Sequence, residues 1–358
     1  MTPNIGQLLI VGFDGTEMSP RLASLLKRVQ PAGVILFARN IQTSEQTWQL
    51  LSDCRKCVDA PLFTCVDMEG GLVDRFREAV GPTPSAAEVY ASGDRKLFRL
   101  HGQIIGDNCR ALGFNVNFAP ALDLAFEASH SVMGSRAVSV NPKEVVKYAR
   151  EFLRGLTDAS VVGCGKHFPG LGEGRLDSHH DLPVIQKPYR RMWQQDLVPY
   201  RSLRKDLPMV MISHGAFPAL TTKPIPASLS PRWITDVLRK TIGYRGLIVS
   251  DDLEMGGVLK AAPLGEAAVE FIRASGDLAL VCHLEERVLE AHEALTRACE
   301  QDEKFCRRAE EAARNVAKFK KKCARRLRAA KPPTEKRVAE LTTSLWEFGE
   351  QVRLESIT

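Results

Sequence analysis

Eight short, mainly apolar runs recur along the chain, at 8–13, 33–37, 62–66, 115–119, 161–166, 209–213, 246–250 and 278–282. Longer amphipathic stretches separate them, for example 43–59, 85–112, 143–158, 231–241, 264–274 and 285–300. Runs rich in Val, Ile and Leu, without polar alternation, suit strands buried on both faces, as a parallel sheet requires. Eight such strands with intervening helices predict an α/β fold, a (β/α)8 barrel of the TIM type. An open doubly wound sheet would share the alternation. No G-x-G-x-x-G follows the first run, which counts against a dinucleotide-binding version.

After about residue 300 the pattern becomes helical and charged. Lys331-Pro332-Pro333-Thr334 interrupts it, and a last helix is expected over 335–350. The expected division is a barrel over 1–300 and a charged helical extension over 301–358. The formal net charge of +6 owes much to the run 318–328, which holds Lys318, Lys320, Lys321, Lys322, Arg325, Arg326 and Arg328. A solvated helix face is the plainer explanation. Phe319 is the only aromatic within the run, so it offers no stacking platform and no nucleic-acid partner is expected.

Nine cysteines form no disulfide framework, and the pair Cys54/Cys57 has no second pair or histidine cluster to complete a zinc site. So many unpaired thiols suit a reducing compartment. The N-terminal residues carry no basic leader, and no apolar run nears the roughly 20 residues that span a bilayer. A cytoplasmic protein with no membrane span is the expectation.

Barrel enzymes build their sites from the loops that follow each strand. That rule collects Asp67 and Glu69 after the third run, Asp123 after the fourth and Lys166 with His167 at the end of the fifth. His214 follows the sixth, and Asp251 with Asp252 the seventh. Each has a structural alternative: Asp123 as a loop brace, Glu69 as an arginine's partner, His214 as a bonded residue below the pocket. Beyond the fifth run, Lys166-His167-Phe168-Pro169-Gly170-Leu171-Gly172 leads to Asp177-Ser178-His179. An aspartate two residues from a histidine can fix the imidazole tautomer, and imidazole titrates near neutrality, so the pair suits general acid–base work. Gly170, Gly172 and Gly174 would let the loop move.

These segments also resemble a known family. Lys-His-Phe-Pro-Gly-x-Gly with Asp-Ser-His, together with Ser250-Asp251-Asp252-Leu253-Glu254-Met255, is similar to family 3 glycoside hydrolases of the single-domain β-N-acetylglucosaminidase type. Asp67-Met68-Glu69-Gly70-Gly71 with Arg75-Phe76, Phe118-Ala119-Pro120-Ala121-Leu122-Asp123, and Gly134-Ser135-Arg136 match further blocks in the same order. The resemblance implies a retaining hydrolase for terminal β-linked N-acetylglucosamine, acting on peptidoglycan fragments (muropeptides) in cell-wall recycling. It implies Asp251 as nucleophile, His179 as acid/base and Asp177 as its partner. Asp67, Arg75, Lys166 and His167 would grip sugar hydroxyls, with Arg136 and Met255 near the C2 substituent. No metal or organic cofactor is implied.

The chain departs from the family at Leu171, where histidine is usual, and at Leu72, Ala137 and Met68, where arginine, serine and glutamine are common. These changes are expected around the pocket and its loop. Two alternatives remain at this stage. One is a glycosidase of other sugar preference or a phosphorylase, since an imidazole does not repel phosphate. The other is a sugar-binding protein without turnover.

Overall fold

The computed structural model describes residues 4–174, 181–221 and 223–356. Its centre is a closed barrel of eight parallel strands in sequence order. They are β1 (Leu9–Val11), β2 (Gly33–Leu36), β3 (Phe63–Val66), β4 (Val116–Asn117), β5 (Val162–Phe168), β6 (Met209–Ile212), β7 (Leu247–Asp252) and β8 (Leu278–Val281). Pairing of Val11 with Val281 closes the ring. All eight expected strands are present, and the closed order excludes the open sheet. β4 is shorter than the sequence run, although the Phe118 N–H still donates to the Val66 carbonyl and the Ala119 carbonyl accepts from Cys164. β5 and β7 run further and carry His167 and Asp251 on strand rather than loop.

Alternation within each strand builds two cores. Ile10, Ile35, Phe63, Cys65, Val116, Cys164, Met209, Val249 and Leu280 point inward and pack on one another. Leu9, Val11, Val34, Leu36, Val66, Val210, Ile212 and Val281 point outward to the helices. Both faces are thus dry, which is why the strands read as unbroken apolar runs.

The stretch 85–112 forms two helices, Ala86–Ala91 and Arg95–Ala111, not one. Gly93 takes a positive φ of 70° and Asp94 accepts a hydrogen bond from the N–H of Lys96, so a new helix starts there. Ser85 and Glu88 form a capping box at the first start. The final helix is longer than expected, Glu335–Glu355.

The helix Glu303–Lys322 seals the base of the barrel. Val316, Leu327, Phe319 and Cys323 pack into the inner core, and Phe319 meets Phe63 edge-on with ring centroids 6.1 Å apart. Most cations of the run 318–328 do face solvent, but Lys320 does not. It is buried, donates to Gln7 Oε1 at 2.8 Å and lies 5.0 Å from the Phe63 ring centroid. Burial pulls its pKa down to about 7. Cys54 sits in the helix Ser44–Lys56 and Cys57 ends it; all nine cysteines are free thiols.

Candidate active site

At the opposite end of the barrel the strands open into a cavity of about 260 Å³. Its floor is the top of the inner core, with Ile35, Met211, Leu280 and Cys282. Asp67, Arg75, Arg136, Lys166, His167, Asp251 and Met255 all line it, so seven of the nine residues singled out from the sequence meet in one place. The other two, Asp177 and His179, lie outside the described residues.

Among the buried polar groups is Glu69, which sequence reasoning had left as a possible arginine partner. Arg136 donates to both of its carboxylate oxygens, at 2.9 and 2.8 Å, and Lys166 Nζ lies 2.8 Å from Oε1. Lys166 also donates to Asp67 Oδ1 at 2.5 Å. Burial alone would raise the Glu69 pKa, but the Arg136 and Lys166 charges hold it well below the usual carboxylate range. The same pairing raises Arg136 and Lys166 against the opposing effect of their own burial. Glu69 therefore fixes two cations on one wall, each with donors left for a ligand.

Asp123 does brace a loop, and it also orients His167. Its Oδ2 lies 2.7 Å from His167 Nδ1 and accepts the His167 backbone N–H at 3.1 Å. Its Oδ1 accepts the N–H of Leu171 at 2.6 Å. The His167 Nε2 is thereby turned toward Arg136 at 3.2 Å and the cavity.

Asp251 closes the opposite side at the end of β7. One carboxylate oxygen accepts the N–H of Asp252 at 2.9 Å. Burial would raise its pKa; the electrostatic influence of the neighbouring His214, His167 and Lys166 side chains, with that N–H, outweighs it and holds the group below its ordinary value. Asp252 is pinned from three sides. His214 Nε2 meets its carbonyl at 2.8 Å, the N–H of Glu254 donates to Oδ1 at 3.1 Å, and His283 Nε2 lies 3.0 Å from Oδ2. Its carboxylate is thus engaged by Glu254 and His283, although the residue also lines the cavity. His214 is a bonded residue beneath the pocket, held by Ser228 at 2.7 Å, and burial favours its neutral form.

Two of the three glycines after β5 have a packing reason. A Cβ on Gly170 (φ 131°) would lie 2.9 Å from the Asp196 Cβ, and one on Gly172 would lie 2.7 Å from the Leu124 carbonyl. Lys187, buried, pairs with Asp196 at 2.7 Å and Glu173 at 3.0 Å, so it joins the two described ends of that loop. Of the four departures, only Leu171 reaches the cavity wall. Met68 is buried with its backbone held by Asn117, Ala137 belongs to a small apolar cluster, and Leu72 is exposed.

Phe37 and His283 also line the cavity and were missed. His283 follows the run 278–282 directly, so the strand-end rule applied there would have found it; Phe37 is the last residue of its own run. Their rings stack with centroids 5.6 Å apart. The bond to Asp252 raises the His283 pKa, against partial burial.

A carboxylate kept ionised, facing two fixed cations and an oriented imidazole across a small cavity, can steady positive charge on a bound polyol while the cations grip its hydroxyls. Comparison with known proteins places this geometry. Residues 1–318 match the model of the glycosyl hydrolase family 3 N-terminal domain. A beta-hexosaminidase of Alkalilimnicola ehrlichii is 38% identical over 287 residues, covering 78% of this chain and 82% of that protein. Among solved structures, a glycoside hydrolase family 3 beta-N-acetylglucosaminidase from Paenibacillus sp. str. FPU-7 superposes with a TM-score of 0.87 at 32% identity. That match covers 96% of this chain and 68% of the other. A glycosyl hydrolase of GH3 family member from Mycobacterium smegmatis is 29% identical with a TM-score of 0.77, over 88% and 96% of the two chains.

Proposed function

The chain belongs to glycosyl hydrolase family 3 and is a glycoside hydrolase of the β-hexosaminidase type; on that premise we propose that it removes terminal β-linked N-acetylglucosamine with retention of configuration. The observation that carries this reading is Asp251: a half-buried carboxylate, held in its ionised form at a strand end, facing a cavity of single-sugar size. Such a group attacks C1 from one face as the glycosidic oxygen leaves from the other.

In the first step the Asp251 oxygen forms a bond to C1, the C1–O bond to the aglycone breaks, and the departing oxygen takes a proton from His179. In the second, His179 takes a proton from water, whose oxygen displaces Asp251 from C1. Asp177 holds the imidazole in its working tautomer. Asp67, Arg75, Lys166 and His167 bind ring hydroxyls. Arg136 and Met255 take the C2 side, where an acetamido group presents one polar and one apolar end. The proposed natural substrate is a muropeptide, and the proposed compartment is the cytoplasm, in keeping with nine free thiols.

The test is release of chromophore from a β-N-acetylglucosaminide beside the matching β-glucoside. The acetamido sugar should react preferentially, and Asp251→Ala should lower its turnover by about a thousandfold or more. Proton NMR should find the β-anomer of the free sugar formed first. Equal rates on both sugars would refute the specificity, an α-anomer the retention, and an undiminished Asp251→Ala variant the nucleophile.

A further inference from the structure

The cavity is closed below by Ile35, Met211 and Leu280, so a terminal sugar enters ring first and whatever is attached to C1 must leave through the mouth. At about 260 Å³ it lies near the small end of ligand pockets, roughly 300–1,000 Å³. A second sugar has no room inside.

The mouth is built from different material. Lys166 and Glu69 at depth have only 3% and 4% of their side chains exposed, whereas His283 has 49%. The His283 ring stacks on Phe37 with an interplanar angle of 19°. Asp252 fixes its Nε2, and Glu254 accepts its backbone N–H at 2.5 Å and that of Leu284 at 3.2 Å. The Arg39 and Arg75 guanidinium carbons lie 4.8 and 5.9 Å from the Phe37 ring centroid. Arg39 is itself tethered to Asp14 at 2.9 Å and to the Cys282 carbonyl at 2.7 Å. The buried Nε of Arg75 has no hydrogen-bond partner among the described residues. Two rings and the Arg39 guanidinium are therefore held in place at the mouth, with Arg75 beside them.

We propose that His283, backed by the Phe37 ring on which it stacks, forms a second sugar subsite whose exposed ring face packs against the sugar attached to the scissile oxygen. A pyranose has an apolar C–H face, which an exposed flat ring held in a fixed orientation matches. The subsite rests on the reading that the terminal sugar occupies the deep cavity. It gives the enzyme a preference for a saccharide aglycone over a simple one.

Calorimetric binding to an Asp251→Asn protein tests the subsite without turnover. The ligands are N-acetylglucosamine and its β-1,4-linked disaccharide. The disaccharide should bind about five- to tenfold more tightly, in the range of one or two aromatic contacts. Phe37→Ala or His283→Ala in that background should bring the ratio to within about twofold of one. His283→Phe, which keeps the ring and loses the bond to Asp252, should retain it. Binding of the monosaccharide in each variant reports an intact pocket. A ratio near one in the Asp251→Asn protein, or a ratio unchanged by both alanine variants, overturns the subsite. If the ratios behave as stated while the wild type cleaves neither chromogenic sugar, the proposed activity falls and the subsite stands. If neither sugar binds, both fall.

Discussion

Lys320 at the base of the barrel should make stability depend on pH in a way that Lys320→Met removes. Its pKa falls from an ordinary 10.5 to about 7 on folding. Between these values the unfolded chain binds the proton that the folded chain refuses, so stability rises with pH over that window. At about 1.4 kcal/mol per unit, the penalty carried by the wild type is roughly 4 kcal/mol at pH 7 and roughly 2 kcal/mol at pH 9. Methionine removes this term but forfeits the bond to Gln7 Oε1, a loss of about 1 kcal/mol. Lys320→Met should therefore be the more stable protein at pH 7 by about 2–3 kcal/mol. The advantage should shrink by about 2 kcal/mol at pH 9 and reverse above about pH 10. Urea unfolding followed by tryptophan fluorescence, with reductant present for the thiols, measures both proteins at pH 7, 8 and 9. Parallel stability curves would refute the assignment, because a lysine that reached water would titrate alike in both states.

Two further outcomes are expected at the site. Glu69→Gln should destabilise the protein by about 3–5 kcal/mol at neutral pH, since it leaves the buried Arg136 and Lys166 without their shared counter-charge. Because the Glu69 pKa is depressed by folding, its contribution is present above the ordinary value near 4.5 and is lost as pH falls below it; wild-type unfolding midpoints should drop more steeply there than those of Glu69→Gln. Asp123→Asn should cut kcat/KM by about ten- to a hundredfold, as His167 and the Leu171 backbone lose a charged acceptor. Unchanged steady-state kinetics would show that His167 needs no such brace.

The barrel was legible because both faces of its strands are dry, so hydrophobicity alone marks them. Asp67, Lys166, His167 and Asp251 were legible because ionisable groups ending an apolar strand stand out from it; Arg75, Arg136 and Met255 were legible only through the family resemblance. What escaped detection depends on partners far apart in sequence. Lys320 reads like its neighbours, and only the packing of Val316 and Leu327 into the barrel turns it inward. Glu69 becomes the anchor of two cations through contacts 67 and 97 residues away, a distance no local pattern spans. The break at Gly93–Asp94 was visible in residue type, but apolar periodicity on either side masked it. Phe37 looked like the last core residue of β2; it keeps the inward alternation of Ile35, and at the strand's end that direction leads into the cavity.

Closure of the ring by β1 and β8 has a consequence for how the protein is made. On a ribosome adding about 5–20 residues per second, β1 emerges some 15–55 s before the strand that must cover its free edge. During that interval its N–H and C=O groups stand open on one side, beside apolar faces that no neighbour yet covers. The helix that seals the base is synthesised later still. An incomplete chain is thus an open, adhesive half-barrel rather than a smaller version of the enzyme. Nonsense truncations before residue 320 should be cleared by cellular proteolysis rather than accumulate as weakened catalysts.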